Sequence, residues 1–486
     1  MQALIRSSLK KRFITNLALL ILLNLLIKPF WFFGIEVGVQ NRVGEEMYGF
    51  YFSLFNFAFI LNILLDVGIN NFNNRSIARD HNLLKEHLAA IVPLKFILAI
   101  FYAGIVFIAG KIIGYTADQF RMLWVLVLNQ FLSSFILYFR TNISGLQYYR
   151  TDSLLSVMDR TLMILFTGLL LWGNITSEPF RIEWFVYAQT ASYGVVLITT
   201  ASIVRFRSGA FISKMSMSNS IRILRMSYPF ALLILLMSLF NRVDSVMLER
   251  LLENGKEEAG IYAQSFRIYD AASQFSYLFA MLLLPMFSRM LRLKEDVNGL
   301  IRIALPLLMV AGLTLAIAGN FYKQEIIGLL YKAHTGYSSR IFGVLIIGFI
   351  FVSTSYIFGT LLTANNNLRQ LNWLAASTVF INVILNLILI PRHQAMGAAI
   401  SSLISQGYYA IFQLLLSVRL IRIPLNADIL MRLAGFIVLN IAAGFLTLLI
   451  PGWIAGLLIL LAVCFASALL LDLIKPSEIR VILQEK

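Results

Sequence analysis

The sequence predicts an all-α integral membrane protein of about fourteen transmembrane helices, and three observations lead there. Of its 486 residues, 59% are hydrophobic and only 13% are charged. A soluble domain carries about 25% charged residues, so this much apolar surface does not fit a water-soluble core. Second, fourteen apolar stretches each approach the roughly 20 residues that a helix needs to cross a bilayer. Third, no connection between them is long enough to hold a folded domain. The expected spans are 13–36, 48–69, 87–110, 121–140, 152–173, 183–204, 226–248, 259–288, 300–320, 340–363, 370–391, 396–418, 430–450 and 452–473. The longest connections are 205–225 and 321–339, and the second contains EIIGLLY, read as a short interfacial helix.

The N-terminus (MQALIRSSLKKRF) is basic and precedes an apolar run, as in a signal peptide. The run is too long for that, holds Lys28 and lacks an A-x-A-like cleavage site, so it reads as a retained first span. The net charge of +16 invites a nucleic-acid reading. However, the basic residues lie in short loops between apolar runs, where the positive-inside rule places them. The loop 205–225 carries Arg205, Arg207, Lys214, Arg222 and Arg225 with no acid. Lys and Arg are concentrated in the two tails and the even-to-odd loops, which puts both termini in the cytoplasm. The single cysteine, Cys464, excludes a disulfide framework, and the scattered His81, His87, His334 and His393 show no metal-ligand spacing.

The chain carries an internal repeat. GEEMYGFY (44–51) follows span 1, and GKEEAGIY (255–262) follows span 7. Glu45 and Glu46 align with Glu257 and Glu258, Gly49 with Gly260, and Tyr51 with Tyr262. An even number of spans separates the copies, so both halves share one orientation and form a parallel repeat. The expected organisation is a six-helix bundle at 1–210, a second at 211–423, and two further helices with a cytoplasmic tail at 424–486.

Three further stretches carry a family likeness: LLDVGINNFNNRSIARD (64–80), FNRVDSVMLERLLENGKEEAGIYAQSFRIYD (240–270) and NLILIPRHQAMGAAISSLISQ (386–406). In the last, Pro391 ends one helix and Gly397-Ala398-Ala399 opens the next. In their order and spacing, over essentially the whole chain, these resemble the multidrug/oligosaccharidyl-lipid/polysaccharide (MOP) exporter superfamily, and within it the polysaccharide-biosynthesis branch of O-antigen flippases. The resemblance implies a MATE-like fold, alternating access, and transport of polyprenyl-pyrophosphate-linked oligosaccharide from the cytoplasmic to the outer leaflet of a bacterial inner membrane. Its implied partners are that anionic lipid-linked substrate, membrane lipids, and the polymerase and glycosyltransferases of the same process. It implies no cofactor beyond a coupling H+ or Na+, and no nucleic acid.

Five cations lie within spans: Lys28, Lys95, Arg160, Arg242 and Arg267. Such a charge costs about 2.5–3.5 kcal/mol at a helix centre on insertion scales, so it faces a cavity or a partner unless it snorkels to the interface. Lys95 and Arg160 admit both readings, and Arg160 follows Asp159, which offers an ion pair. Arg267 has Asp270 one turn on, again a structural pair or a site. Lys28 and Arg242 lie deep on the first helices of the two halves, at similar depth under the repeat offset. They are expected to oppose one another across a cleft and to hold pyrophosphate, Arg by its fork and Lys as a point charge. Glu36 near the outer end of span 1, Asp66 at the inner end of span 2, Asp244 and Asp270 are candidates for ion coupling, or else interfacial charges and helix-end groups. Pro29 removes a backbone donor and kinks span 1, as a hinge or a static bend. The cluster Phe30, Trp31, Phe32, Phe33 reads as lipid-facing and interfacial.

Competing functions are weaker. A drug exporter of the same fold handles cations and should be lined by acids; a lipid II flippase is a close sibling that the sequence separates poorly. An integral-membrane enzyme needs paired carboxylates or a nucleophile beside a base, and no such arrangement is visible.

Overall fold

The computed structural model describes residues 22–24, 26–173, 175, 177–209, 217–424 and 427–474, with side chains except at 217–227 and 275. The start of the first expected span (13–21), Lys214 and both tails lie outside the described residues. Among the described residues every regular element is helical. Eleven helical stretches are long and apolar enough to cross a membrane. The protein is therefore a multi-pass membrane protein. Its exterior agrees: Ile100, Ile112, Trp373 and Leu449 are each at least 72% exposed, while Asn, Gln and Ser line the interior, where interhelical hydrogen bonds satisfy them.

Two of the eleven stretches, Leu22–Ile60 and Leu368–Ile421, each contain a reversal. Gly44 (φ 80°, ψ 170°) divides the first into α1 (26–43) and α2 (45–60). The rings of Trp31 and Tyr51 both lie within 6 Å of the Phe185 ring. Twenty residues of straight helix would hold them about 30 Å apart. Gln394 (φ 52°, ψ −134°) divides the second into α13 (368–393) and α14 (395–421). There Asn382 meets Ser401 and Ser377 meets Tyr408, as an antiparallel hairpin requires. The remaining elements are α3 Ile69–Arg79, α4 Leu83–Ile113, α5 Ala117–Gly145, α6 Tyr149–Trp172, α7 Ile182–Ser208, α8 Met217–Leu251, α9 Gly255–Leu293, α10 Asn298–Phe321, α11 Lys323–Leu330, α12 Thr335–Ala364, α15 Ala427–Thr447 and α16 Trp453–Leu470. With both reversals and with α7, which is less apolar, the fourteen expected crossings are present. The short helix expected in 321–339 is α11.

The first turn corrects the sequence boundaries. Span 1 does not end at Glu36, and span 2 does not run to 69. The helix continues to Gly44, whose left-handed backbone turns the chain without a Cβ clash. Glu36 is consequently buried inside α1 rather than standing at its outer end. Lys28 lies about 24 Å of helix from the turn, deeper than span 1 as 13–36 placed it. Span 2 stops at Ile60. A 3-10 turn (Asn62–Leu65) follows, then Val67 (φ 45°) and Gly68 (φ 84°) in left-handed conformations, before α3 begins.

Contacts divide the chain into Met1–Val246 and Met247–Lys486. In the first unit α5 is central, touching α3, α4, α6, α7 and the segment Val37–Ile60. The turn into α5 follows from its letters: Gly114 in the left-handed region closes α4, and Thr116 and Gln119 form a reciprocal capping box. The core under α3 joins Ile69 and Ile77 to a stripe on α4, Leu84, Leu88, Ile91 and Leu98. In the second unit α12 packs on α9, α10, α11 and the α13–α14 hairpin. α15 and α16 close on α10 through Phe436, Leu460 and Cys464.

The repeat motifs occupy matching places, each at the start of the helix that follows a turn. Tyr51 and Tyr262 are both 1% exposed. The glycines serve differently: Gly44 takes positive φ, whereas a Cβ on Gly255 would stand 2.5 Å from the Glu249 carbonyl oxygen. The copies also diverge. The first breaks at residues 61–68, whereas α9 runs unbroken to Leu293.

In the second unit Glu258 accepts a hydrogen bond from the Ala395 N–H at 3.0 Å, and the Tyr337 hydroxyl accepts from the Met396 N–H at 3.2 Å. Side chains of α9 and α12 thus cap the first amides of α14, which have no acceptor within their own helix. Glu258→Ala is expected to speed hydrogen exchange at Ala395 by about tenfold, the worth of one such cap. Mass-spectrometric exchange on the purified protein reads this, and unchanged protection at Ala395 refutes the capping role.

Candidate functional site

Pro29 is where the site begins. It stays in helical conformation (φ −61°, ψ −40°), and the seven residues after it, Phe30–Glu36, form a π-helix. A proline interrupts the regular hydrogen-bond ladder of a helix, and here a wider π-turn follows it. The wide turn carries Trp31, Ile35 and Glu36 into the interior. Trp31 is 2% exposed and stacks on Phe185 at 5.8 Å. The lipid-facing reading of the aromatic cluster therefore holds for Phe30 and Phe33, both exposed, and fails for Trp31. A tryptophan carries the largest flat surface of the four and finds a cationic partner inside.

That partner is Arg160 on α6, whose guanidinium lies 5.0 Å from the Trp31 ring. Its electrostatic neighbours are Tyr193, Asp159, Glu36 and Tyr51. The Asp159 contact is loose, 3.9 Å between Nε and Oδ2, and both side chains are about a quarter to a third exposed. Gln189 on α7 donates to the Tyr51 hydroxyl at 3.0 Å. Lys28, half-buried, precedes Pro29 and the π-turn in α1.

Arg242 on α8 reaches the same unit from another side. Its Nη1 donates to Asn56 Oδ1 at 2.8 Å, and its guanidinium lies 4.3 Å from the Phe59 ring. Asn56 in turn donates to Ser245 at 2.9 Å. One helix, α2, therefore presents Tyr51 to the Arg160 group and Asn56 to Arg242, about 7.5 Å apart along its axis. Asp244 is buried and two residues from Arg242. The sequence had placed Lys28 and Arg242 on separate halves. The division by contacts falls at Val246/Met247, within α8, and leaves both Lys28 and Arg242 in the first unit.

Lys95 does not snorkel. It is 1% exposed, and its ammonium donates to the Leu65 carbonyl and to Ser134 Oγ, both at 2.9 Å, and to Asp66 Oδ1 at 3.4 Å. The Phe135 and Tyr138 rings flank it at 5.7 and 5.8 Å. Asp66 also accepts from the Asn70 N–H, capping α3 across the break. Arg267 stands apart in α9 of the second unit, buried, with Asp270 half-buried one turn on. No three His, Cys, Asp or Glu side chains come together as a metal site among the described residues.

The sequence reading missed Trp31, Asn56, Phe59, Tyr51 and Gln189 as site neighbours. Lys95 did carry a signal. Leu84, Leu88, Ile91, Lys95, Leu98, Tyr102 and Val106 fall at helical spacing, and all are buried. In a membrane helix, polar residues on one stripe mark the face turned to protein.

Comparison with known proteins decides the family. The model of a family described as polysaccharide biosynthesis protein matches residues 13–291, more than half of the chain. This chain belongs to that family. No curated protein matches it in sequence. Solved structures do match in fold. One is the lipid II flippase MurJ in an inward closed conformation, with a TM-score of 0.69 at 13% identity over 93% of this chain and 98% of that one. An inward-facing multidrug resistance MATE family transporter matches with a TM-score of 0.60 at 15% identity, over 82% and 98%. A MOP superfamily transporter from Pyrococcus furiosus matches at 0.59 and 16% identity, over 84% and 95%. The polysaccharide biosynthesis chain thus shares the fold of these MOP superfamily transporters.

Proposed function

We propose that the protein flips a polyprenyl-pyrophosphate-linked oligosaccharide, an O-antigen, capsule or related repeat unit, from the cytoplasmic to the outer leaflet of a bacterial inner membrane by alternating access. The observation that carries this reading is that α2 meets two cations, Arg160 near Tyr51 and Arg242 at Asn56, with Lys28 on α1 of the same unit. Arg160 and Arg242 are held by an aromatic face and by loose or neutral polar contacts. Cations held in a place of low dielectric suit a substrate that brings its own negative charge. The pyrophosphate is engaged by the fork of Arg242 and by Lys28 as a point charge. Glu36 and Asp159 steer Arg160, and Pro29 with its π-turn is the hinge of α1. Arg267, near Asp270 in the second unit, is a further candidate for binding an anion. Both termini lie in the cytoplasm, where glycosyltransferases supply the substrate; a polymerase takes it up on the other side. The relatives add a second reading, since MurJ is a lipid II flippase.

Reconstituted proteoliposomes separate these readings. The intact protein is expected to move a fluorescent polyprenyl-pyrophosphate oligosaccharide faster than lipid II, and to leave a cationic dye where it is. Transport of the dye alone overturns the proposal, and equal rates for lipid II and the oligosaccharide favour the second reading. Lys28→Ala is expected to slow flipping by roughly tenfold, the value of one charge-assisted contact. A Lys28→Ala rate equal to wild type removes this residue from the substrate path.

A further inference from the structure

The Lys95 cluster is not used by the proposed substrate path, and its position is unusual. A buried ammonium holds together the ends of a transmembrane helix that has come apart. Leu65, whose carbonyl it binds, closes the 3-10 turn, and Asp66 caps the helix on the far side of the gap. Ser134 fixes the same carbonyl from α5, donating to it at 3.3 Å. Val67 and Gly68 take left-handed backbone conformations between the two helices. The equivalent helix of the second unit, α9, has no such gap. The break is thus found in the first copy of the repeat and not in the second, and the charge pair sits in it.

We propose that Lys95 and Asp66 form a proton-binding site that opens and closes the break in the second span. In the closed state the ammonium satisfies the Leu65 carbonyl, Ser134 and Asp66 together. Opening begins when the Nζ–H bond breaks and its electron pair stays on nitrogen. The Asp66 carboxylate, 19% exposed against 1% for Lys95, takes the proton and passes it to water. The site changes from a neutral ion pair to a single negative charge. An uncompensated buried carboxylate is costly, so Asp66 turns outward and the 61–68 segment loosens. Reprotonation reverses the step. The titratable and charged groups facing Lys95 are Asp66 from the break and Tyr138 from α5. The Tyr138 hydroxyl itself points to the His87 carbonyl at 3.4 Å, and Leu65 and Ser134 offer neutral oxygens. Through this site the transporter reading acquires a coupling ion, H+ in preference to Na+, since an ammonium occupies the place a metal cation would need.

The test uses the full-length protein in nanodiscs without substrate, so it is independent of which lipid is carried. Hydrogen exchange at the amides of 63–70 is followed from acid to alkaline pH and corrected for intrinsic exchange. Wild-type protection is expected to fall about tenfold or more as the pH rises, one cooperative local opening. Lys95→Arg keeps the charge and cannot release a proton in this range, so its protection should stay level. Lys95→Met should be unprotected throughout. If Lys95→Arg does not fold, Asp66→Asn replaces it; it leaves no carboxylate to become uncompensated, so the wild-type fall should be absent there. A flat wild-type profile, or the same fall in wild type and Lys95→Arg, overturns the proposal. Failure of the transporter reading shows instead in the flipping assay.

Discussion

Arg242→Ala is expected to slow flipping of the oligosaccharide lipid by roughly tenfold to a hundredfold, with the protein still inserted and folded. The range follows from the chemistry: a hydrogen bond to a charged group is worth about 1.5–3 kcal/mol, and each 1.4 kcal/mol is a factor of ten. The guanidinium rests on the Phe59 ring and donates to Asn56. These contacts orient the fork, whose five N–H donors exceed what one amide oxygen accepts. Arg242→Lys separates charge from geometry. It keeps the point charge and loses the bidentate fork and the stacking plane, so its rate should lie between those of Arg and Ala. A purely structural Arg242 predicts something else: a lowered melting temperature in both variants and, once folded protein is compared, a normal rate. Measuring melting and flipping on the same reconstituted samples distinguishes the two, and an unimpaired Ala variant would falsify the substrate role.

How much of this was legible in the sequence depended on what kind of signal each feature leaves. The crossings were legible because a span must be apolar for about 20 residues, and composition records that directly. The repeat was legible because Gly44 and Gly255 are each required by a turn, one for its backbone angle and the other for lack of room. The turn positions were less so. Glu36 is a charge near the end of an apolar run and resembles a helix end, yet it is buried eight residues before the turn at Gly44, beside Arg160. Apolarity cannot distinguish a helix end from a polar residue facing a protein interior. The same limit explains Lys95. Depth along the helix made snorkelling plausible, but direction around the helix decides, and almost every neighbour in span 3 is apolar on all sides. Only Tyr102, seven residues on, shares the face as a polar marker. Trp31 was hidden for a different reason: Pro29 changes the helical repeat after it, so a count at ordinary helical spacing misplaces every residue of the π-turn.

The α13–α14 hairpin yields the largest expected effect on stability. Gly397→Ala should destabilise the protein by about 3 kcal/mol, the upper end for a forced insertion into a packed site. A Cβ at Gly397 would overlap the carbonyl oxygen of Leu389, stand 2.5 Å from its carbon, and come within 2.9 Å of the Ile390 nitrogen. These are backbone atoms of the last turn of α13, so no side-chain rotation can make room. The hairpin must spread, and the spreading is felt at once by its clasps: Asn382 with Ser401, and Glu258 with the Ala395 amide. Pro391 contributes to the same geometry from the sequence side, since a helix seldom continues long past a proline. Gly435→Ala is the matched control. It makes the same chemical change inside α15, where an added Cβ meets nothing within 4 Å, and helix propensity alone should make it neutral or slightly stabilising. Thermal unfolding followed by light scattering should therefore show Gly397→Ala several degrees below wild type and Gly435→Ala level with it. Equal midpoints for the two variants would mean that the hairpin tolerates a wider turn, and the close approach at Gly397 would then not be what holds α13 against α14.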